Sequence, residues 1–229
     1  MIKISIPYRG MEKCKVRMLD VIDQCQDADD VFIQIVEQSN DGRRFNLGKM
    51  INVGFDLCSN NSVNDDWVYM FHPVDLFPKQ GILPYKQGME FILKNHVSVI
   101  RYNVIGQAHF YRACQYSPAA YRLFNGYTNE FWGWGAEDDE FFNRLRIKQI
   151  PSHYMNLEFN TWSETKQDHE PDHPSPDFLM GLSHHEQNVA IANSVTLEKL
   201  SSDGLSNLSY RVISEKTIGK NIRHIEVEL

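Results

Sequence analysis

Residues 2–9 read Ile2-Lys3-Ile4-Ser5-Ile6-Pro7-Tyr8-Arg9. Apolar and polar side chains alternate along the first of them with the two-residue period of a strand, and Pro7 is expected to end it. Working outward, Met11 to Cys25 sets Val16, Leu19 and Ile22 at helical spacing. A second β-rich run, Val31-Phe32-Ile33-Gln34-Ile35-Val36, meets the turn cluster Ser39-Asn40-Asp41-Gly42. The spacing then predicts a helix over 47–58 and a buried strand, Trp67-Val68-Tyr69-Met70-Phe71, which closes in His72-Pro73-Val74-Asp75. Val97 to Tyr111 is strand-like again, and Glu137 to Lys148 is helical, with Phe141, Phe142, Leu145 and Ile147 as apolar members. Strands alternating with helices predict an α/β sheet with parallel strands, whose ligands sit beyond the strands' carboxyl ends. Arg9 and Asp75 both follow such ends, so a nucleotide is expected there.

The chain has 229 residues, 42% hydrophobic and 23% charged, which excludes collagenous, low-complexity and disordered classes. Its 23 basic against 30 acidic residues leave a net charge of −7, which argues against nucleic acid or an anionic lipid surface as the main partner. No apolar run approaches the roughly 20 residues of a membrane span. The start of the chain lacks the marks of a signal peptide, and Cys14, Cys25, Cys58 and Cys114 show no C-x-x-C spacing. Reduced thiols in a cytoplasmic protein, at most peripheral at the inner face of a membrane, are the expectation.

The least ordinary stretch is Phe131-Trp132-Gly133-Trp134-Gly135-Ala136-Glu137-Asp138-Asp139. Acids in a first helical turn are favoured by the helix dipole, and that alone accounts for the three of them as well as any function does. The indoles and small residues beside them tilt the reading. Glycines let a ligand approach the backbone, indoles offer flat faces to sugar rings, and a carboxylate at such a platform can take a proton from a sugar hydroxyl.

That run, continued by Phe142-Asn143-Arg144-Leu145, resembles the signature of the β-1,4-galactosyltransferase family, which transfers hexose from a UDP-sugar with inversion. Four further blocks agree in order: Ile6-Pro7-Tyr8-Arg9, Phe45-Asn46-Leu47-Gly48-Lys49-Met50-Ile51-Asn52-Val53-Gly54-Phe55, Phe71-His72-Pro73-Val74-Asp75-Leu76-Phe77-Pro78, and Ser202-Asp203-Gly204-Leu205-Ser206-Asn207-Leu208-Ser209-Tyr210. The resemblance implies a Rossmann-like glycosyltransferase fold of the GT-A type, with a mixed central sheet flanked by helices. It implies one domain over 1–229: a nucleotide-sugar-binding half, 1–110, and an acceptor-binding and catalytic half, 111–229, with a mobile loop near 155–180.

It implies roles as well. Pro7, Tyr8 and Arg9 hold the uracil and ribose, with Phe45 near the base. Asp75 matches the second acid of the family's Asp-Val-Asp motif, the manganese ligand. Trp134, Gly135, Asp138 and Asp139 fall on acceptor positions, and Asp138, with Glu137, on the catalytic ones, Asp138 as general base. For a further metal ligand, one register of the chain after the acids offers Asn160 and Ser163 and another His169 or His173; His169 suits Mn2+ beside Asp75. The pattern also departs from the family. Pro73 replaces the first acid of Asp-Val-Asp, and Met11 and Leu47 stand where arginines of the donor clamp are expected.

The reading that follows is an inverting transferase moving galactose or N-acetylgalactosamine from a UDP-sugar to an oligosaccharide or lipid-linked sugar, in bacterial surface polysaccharide synthesis. A catalytically silent sugar- or nucleotide-binding protein on the same scaffold is the alternative. Trp67, Tyr69 and Phe71 are read as sheet core, with no ligand assigned to them.

Overall fold

The computed structural model describes residues 1–10, 29–60, 62, 64–74, 76–79, 83–104, 111–133, 135–157, 159–161 and 184–229. The strands are β1 (Ile2–Tyr8), β2 (Val31–Gln38), β3 (Val68–Phe71), β4 (Leu76–Pro78), β5 (Val99–Val104), β6 (Tyr111–Tyr116), β7 (Ser152–Leu157), β8 (Phe159–Thr161), β9 (Arg211–Gly219) and β10 (Ile222–Glu228). The helices are α1 (Leu47–Asn60), α2 (Leu83–Asn95), α3 (Pro118–Leu123), α4 (Glu137–Ile147), α5 (His184–Asn193) and α6 (Leu197–Ser202). The helix expected over Met11 to Cys25 lies outside the described residues.

Eight strands form one mixed sheet in the order β7-β5-β6-β3-β1-β2-β10-β9. β1 is parallel to both its neighbours, β2 and β3, so three carboxyl ends emerge on one edge, with the chain departing to opposite sides of β1. That is the topological switch point at which open α/β sheets take ligands. β4 and β8 make a separate antiparallel pair.

β1 runs through Pro7 to Tyr8 instead of ending at the proline. Its pairing with β3 stops at Ser5, whose carbonyl accepts from the His72 N–H at 3.0 Å. Alternate residues face the same neighbour, so the N–H that Pro7 lacks would have pointed to the side β3 no longer occupies, and the ladder loses nothing.

Both faces of the sheet are covered. Ile2, Ile4, Ile6, Met70, Ile100 and Tyr102 pack in one cluster, and Tyr69, Phe71, Val99, Tyr116, Phe141 and Leu145 in another. The polar positions of β1 are therefore buried too: Lys3 donates to the Cys58 carbonyl at 2.8 Å and lies 4.8 Å from the centre of the Trp67 ring. α1 sits against β1 so closely that a Cβ on Gly54 would come 2.1 Å from Ser5 Oγ. Cys58 and Cys114 are free and buried, and burial pushes each thiol up to about 12. Trp67, Tyr69 and Phe71 are core, as expected. Residues 155–157 and 159–161 belong to β7 and β8, paired to β5 and β4, so the first part of the expected loop is strand; residues 162–183 lie outside the described residues. Among the described residues no helix is long and apolar enough to cross a membrane.

Candidate active site

The segment 125–133 is laid along α1 by that helix's own polar side chains. Asn46 caps the helix, its Oδ1 accepting from Lys49 N at 2.8 Å, and its amide donates to the Asn129 carbonyl at 2.8 Å. Two turns on, Asn52 donates to the Tyr127 carbonyl at 2.7 Å and to Asn129 Oδ1 at 2.9 Å, and accepts from Tyr127 N and the Tyr121 hydroxyl. Gly126 supplies the left-handed turn, with φ of 69°. The Gly133 N–H donates to the Phe45 carbonyl at 2.9 Å, which ties the tryptophan run to the start of α1.

A second layer holds the segment from behind. Arg144, fully buried, donates to Glu140 at 2.6 Å, to the Gly126 carbonyl at 3.0 Å and to the Asp203 carbonyl at 2.7 Å, and pairs with the Asp203 carboxylate at 3.3 Å. Asp203 in turn accepts from the Thr128 hydroxyl and from Asn129 N. Burial raises the Glu140 pKa, and Arg144 opposes the shift. The cation is thus shared between two carboxylates and backbone carbonyls in a space closed to water, with Glu140 Oε2 left as a buried oxygen without a hydrogen-bond donor among the described residues.

α4 begins at this clamp. Ala136 takes the N-cap position at φ of 68° and contributes no side-chain cap, so Glu137, Asp138, Asp139 and Glu140 enter a first turn whose N–H groups have no side-chain oxygen from that residue. A helix N-terminus of this kind favours carboxylates. Glu137 and Asp138 are partly exposed, Asp139 is exposed and Glu140 is buried. The Asp138 carboxylate lies close enough to Cys114 and Tyr127 to add to the upward shifts that burial imposes on both. Gly135 is buried, its carbonyl accepting from Asn188 at 2.9 Å.

At the switch point Pro7 and Tyr8 are buried, and Arg9 is the first of the three to reach the surface. Arg9 donates to the Arg43 carbonyl at 2.6 Å and lies 5.8 Å from the Phe45 ring centre, while Arg43 lies 5.1 Å from that of Trp132. The structure therefore brings Arg9 and Phe45 together and links them to the acidic helix start through Gly133. Asp75, Trp134 and His169 lie outside the described residues.

His72 occupies the end of β3. Its Nδ1 is 2.8 Å from the Pro73 carbonyl, which can only accept, so that nitrogen carries the proton and Nε2 accepts from the Tyr85 hydroxyl at 2.9 Å. Both ring nitrogens are committed, and His72 has no lone pair for a metal. Burial lowers its pKa from 6.5 to about 4. The unfolded chain then binds one more proton than the folded one between those values, so stability falls as pH drops through that window, by about 3 kcal/mol for this group. Urea unfolding at pH 6.5 and 4.5 should show His72→Gln less sensitive to the change than the parent; equal sensitivity would refute the assignment. Among the described residues no group of three or more His, Cys, Asp or Glu could hold a metal.

A family model described as the N-terminal domain of galactosyltransferase matches residues 113–166, the stretch that contains the tryptophan run and the acids. Beta-1,4-galactosyltransferase 4 of Mus musculus is 30% identical over 224 residues, 93% of this chain. Beta-1,4-galactosyltransferase 1 of Homo sapiens is 27% identical over 220 residues, again 93% of this chain. The relatives of this chain are β-1,4-galactosyltransferases. It spans 59% and 51% of the length of those two. The catalytic domain of Drosophila beta1,4-galactosyltransferase 7, solved with xylobiose, is 20% identical and superposes with a TM-score of 0.72, covering 100% of this chain and 93% of that one. A mutant of the fly enzyme in complex with manganese, UDP-Gal and xylobiose gives 0.73 at 19% identity, with the same coverage. The GT-A fold expected from the sequence is the one observed.

Arg144, Asp203 and Asn52 lie within the blocks that carry the resemblance to β-1,4-galactosyltransferases, and Thr128 just before the tryptophan run, yet the sequence assigns no role to any of the four. Their one signal was composition: uncharged amides inside a helix, and an arginine on an otherwise apolar helix face, are poor choices unless they have partners.

Proposed function

We propose that this chain is an inverting hexosyltransferase that moves galactose or N-acetylgalactosamine from a UDP-sugar to a hydroxyl of an oligosaccharide or lipid-linked sugar, in bacterial surface polysaccharide synthesis. The observation that carries the reading is the placement of Glu137 and Asp138 at an uncapped helix start, braced by Arg144 and Asp203 and joined through Gly133 to the Arg9, Phe45 and Trp132 cluster. In this reading Asp138 accepts the proton of the acceptor hydroxyl as its oxygen attacks the anomeric carbon from the face opposite UDP. Glu137, Asp139, Trp134 and Gly135 orient the acceptor, and Pro7, Tyr8, Arg9 and Phe45 hold the nucleoside end. Residues 1–110 are the donor half and 111–229 the acceptor half.

Manganese belongs to the reading because the fly relative was solved with manganese and UDP-Gal. Bound, it would offset the charge growing on the departing diphosphate. The residues proposed for it are Asp75 and His169; the described residues supply no such cluster of their own, since His72 is committed elsewhere.

Calorimetric titration with UDP, UDP-galactose and UDP-N-acetylgalactosamine, each with manganese and with chelator, tests the donor site. Metal-dependent binding that Asp75→Ala abolishes is the expected result. Donor affinity that is the same with manganese and chelator in both proteins would refute the metal site, and no nucleotide binding at all would refute the transferase reading.

A further inference from the structure

Lys49 stands on the first turn of α1, four residues after Phe45, and is 9% exposed. Among the described residues its ammonium has no hydrogen-bond or ion-pair partner. Burying a charge without a partner is costly. Burial holds its pKa below the ordinary lysine value, and Arg43 pushes the same way. The carboxylate near enough to help, Asp41, is already taken by Arg43, whose N and Nε donate to it at 3.0 and 2.7 Å and whose Nη2 donates as well. Arg43 in turn lies over Trp132 and accepts on its carbonyl from Arg9. Two cations and a capped helix N-terminus therefore converge beside the switch point of the sheet, and the buried one has no anion paired to it among the described residues.

We propose that Lys49, with Arg43 beside it, is the clamp for the diphosphate of the nucleotide. The inference rests on the transferase reading above. An ammonium on a rigid helix, surrounded by little water, attracts a phosphate more strongly than an exposed lysine would, because the surrounding medium screens it less. The unliganded protein carries the cost of that arrangement, so the clamp is expected to trade stability for affinity.

The test compares UDP with uridine by calorimetry in the full chain, in the parent and in Lys49→Met, with Lys49→Gln as a second charge-removing variant. The expected result is a loss of about tenfold or more in UDP affinity with uridine affinity unchanged, the size of one charge-assisted contact. The ligand-free Lys49→Met protein is expected to melt higher by about 2–4 °C. UDP affinity unchanged in both variants would overturn the clamp, and a lower melting temperature with unchanged UDP affinity would do so too, by showing that the ammonium serves a carboxylate of the protein itself. If the parent binds no UDP, the transferase reading falls and the clamp with it; if the parent binds UDP and the variants bind it equally well, only the clamp falls.

Discussion

Asp138→Asn is expected to lower kcat by about 10²–10⁴-fold or more, the range contributed by a general base, while UDP affinity stays within about twofold. The substitution keeps the size of the side chain and its place on the first turn of α4, and removes the negative charge and with it the capacity to accept a proton. The Arg144 and Asp203 clamp does not touch the Asp138 side chain in any of its bonds, so the framework should survive. The assay is transfer from UDP-galactose to the best of a panel of mono- and disaccharides, xylobiose included because the fly relative was solved with it. Activity within about tenfold of the parent would remove Asp138 from the role of base.

The second large effect is on stability. Arg144→Met should cost about 3–5 kcal/mol in urea unfolding at pH 7, because it leaves the Glu140 and Asp203 carboxylates buried without their cation. It also strips donors from the Gly126 and Asp203 carbonyls, so the turn before the tryptophan run loses one of its ties to residues 203–207 and keeps those made by Asn125, Thr128 and Asn129. Arg144→Lys should not restore the loss: a single ammonium cannot reach positions that the planar guanidinium serves with three nitrogens. The sign of the pH dependence follows from Glu140. Its folded pKa is already raised by burial, and without Arg144 only the smaller pull of Lys199 opposes that shift. The variant can therefore relieve the buried charge by binding a proton, and its deficit relative to the parent should shrink as pH falls. A cost below about 1 kcal/mol at pH 7 would mean that water or a rearranged side chain replaces the guanidinium.

Much of the site was legible in the residues. The β1 alternation, the acids before Phe141, and the glycines around Trp132 are local patterns, and each led to an element or turn close to where it is observed. The β1 end was misjudged because proline was weighed as a strand breaker without knowing that β3 stops at Ser5. Lys3 and Ser5 are polar positions of an alternating strand, yet both are buried, and only the packing of the tertiary structure decides that.

Periodicity, turn chemistry and the charge of a helix start act between residues a few positions apart, so the sequence by itself determined the opening strands and helices, the strand ends at which a ligand is expected and the acidic helix start at Glu137. What only the tertiary structure decided is which distant side chains hold the segment that leads into that helix. Asn52 meets Tyr127 across 75 positions, Arg144 meets Asp203 across 59, and Lys49 is buried without a partner among the described residues. Such pairings carry no local signature, because they depend on how the closed chain excludes water and which polar groups it leaves to satisfy one another.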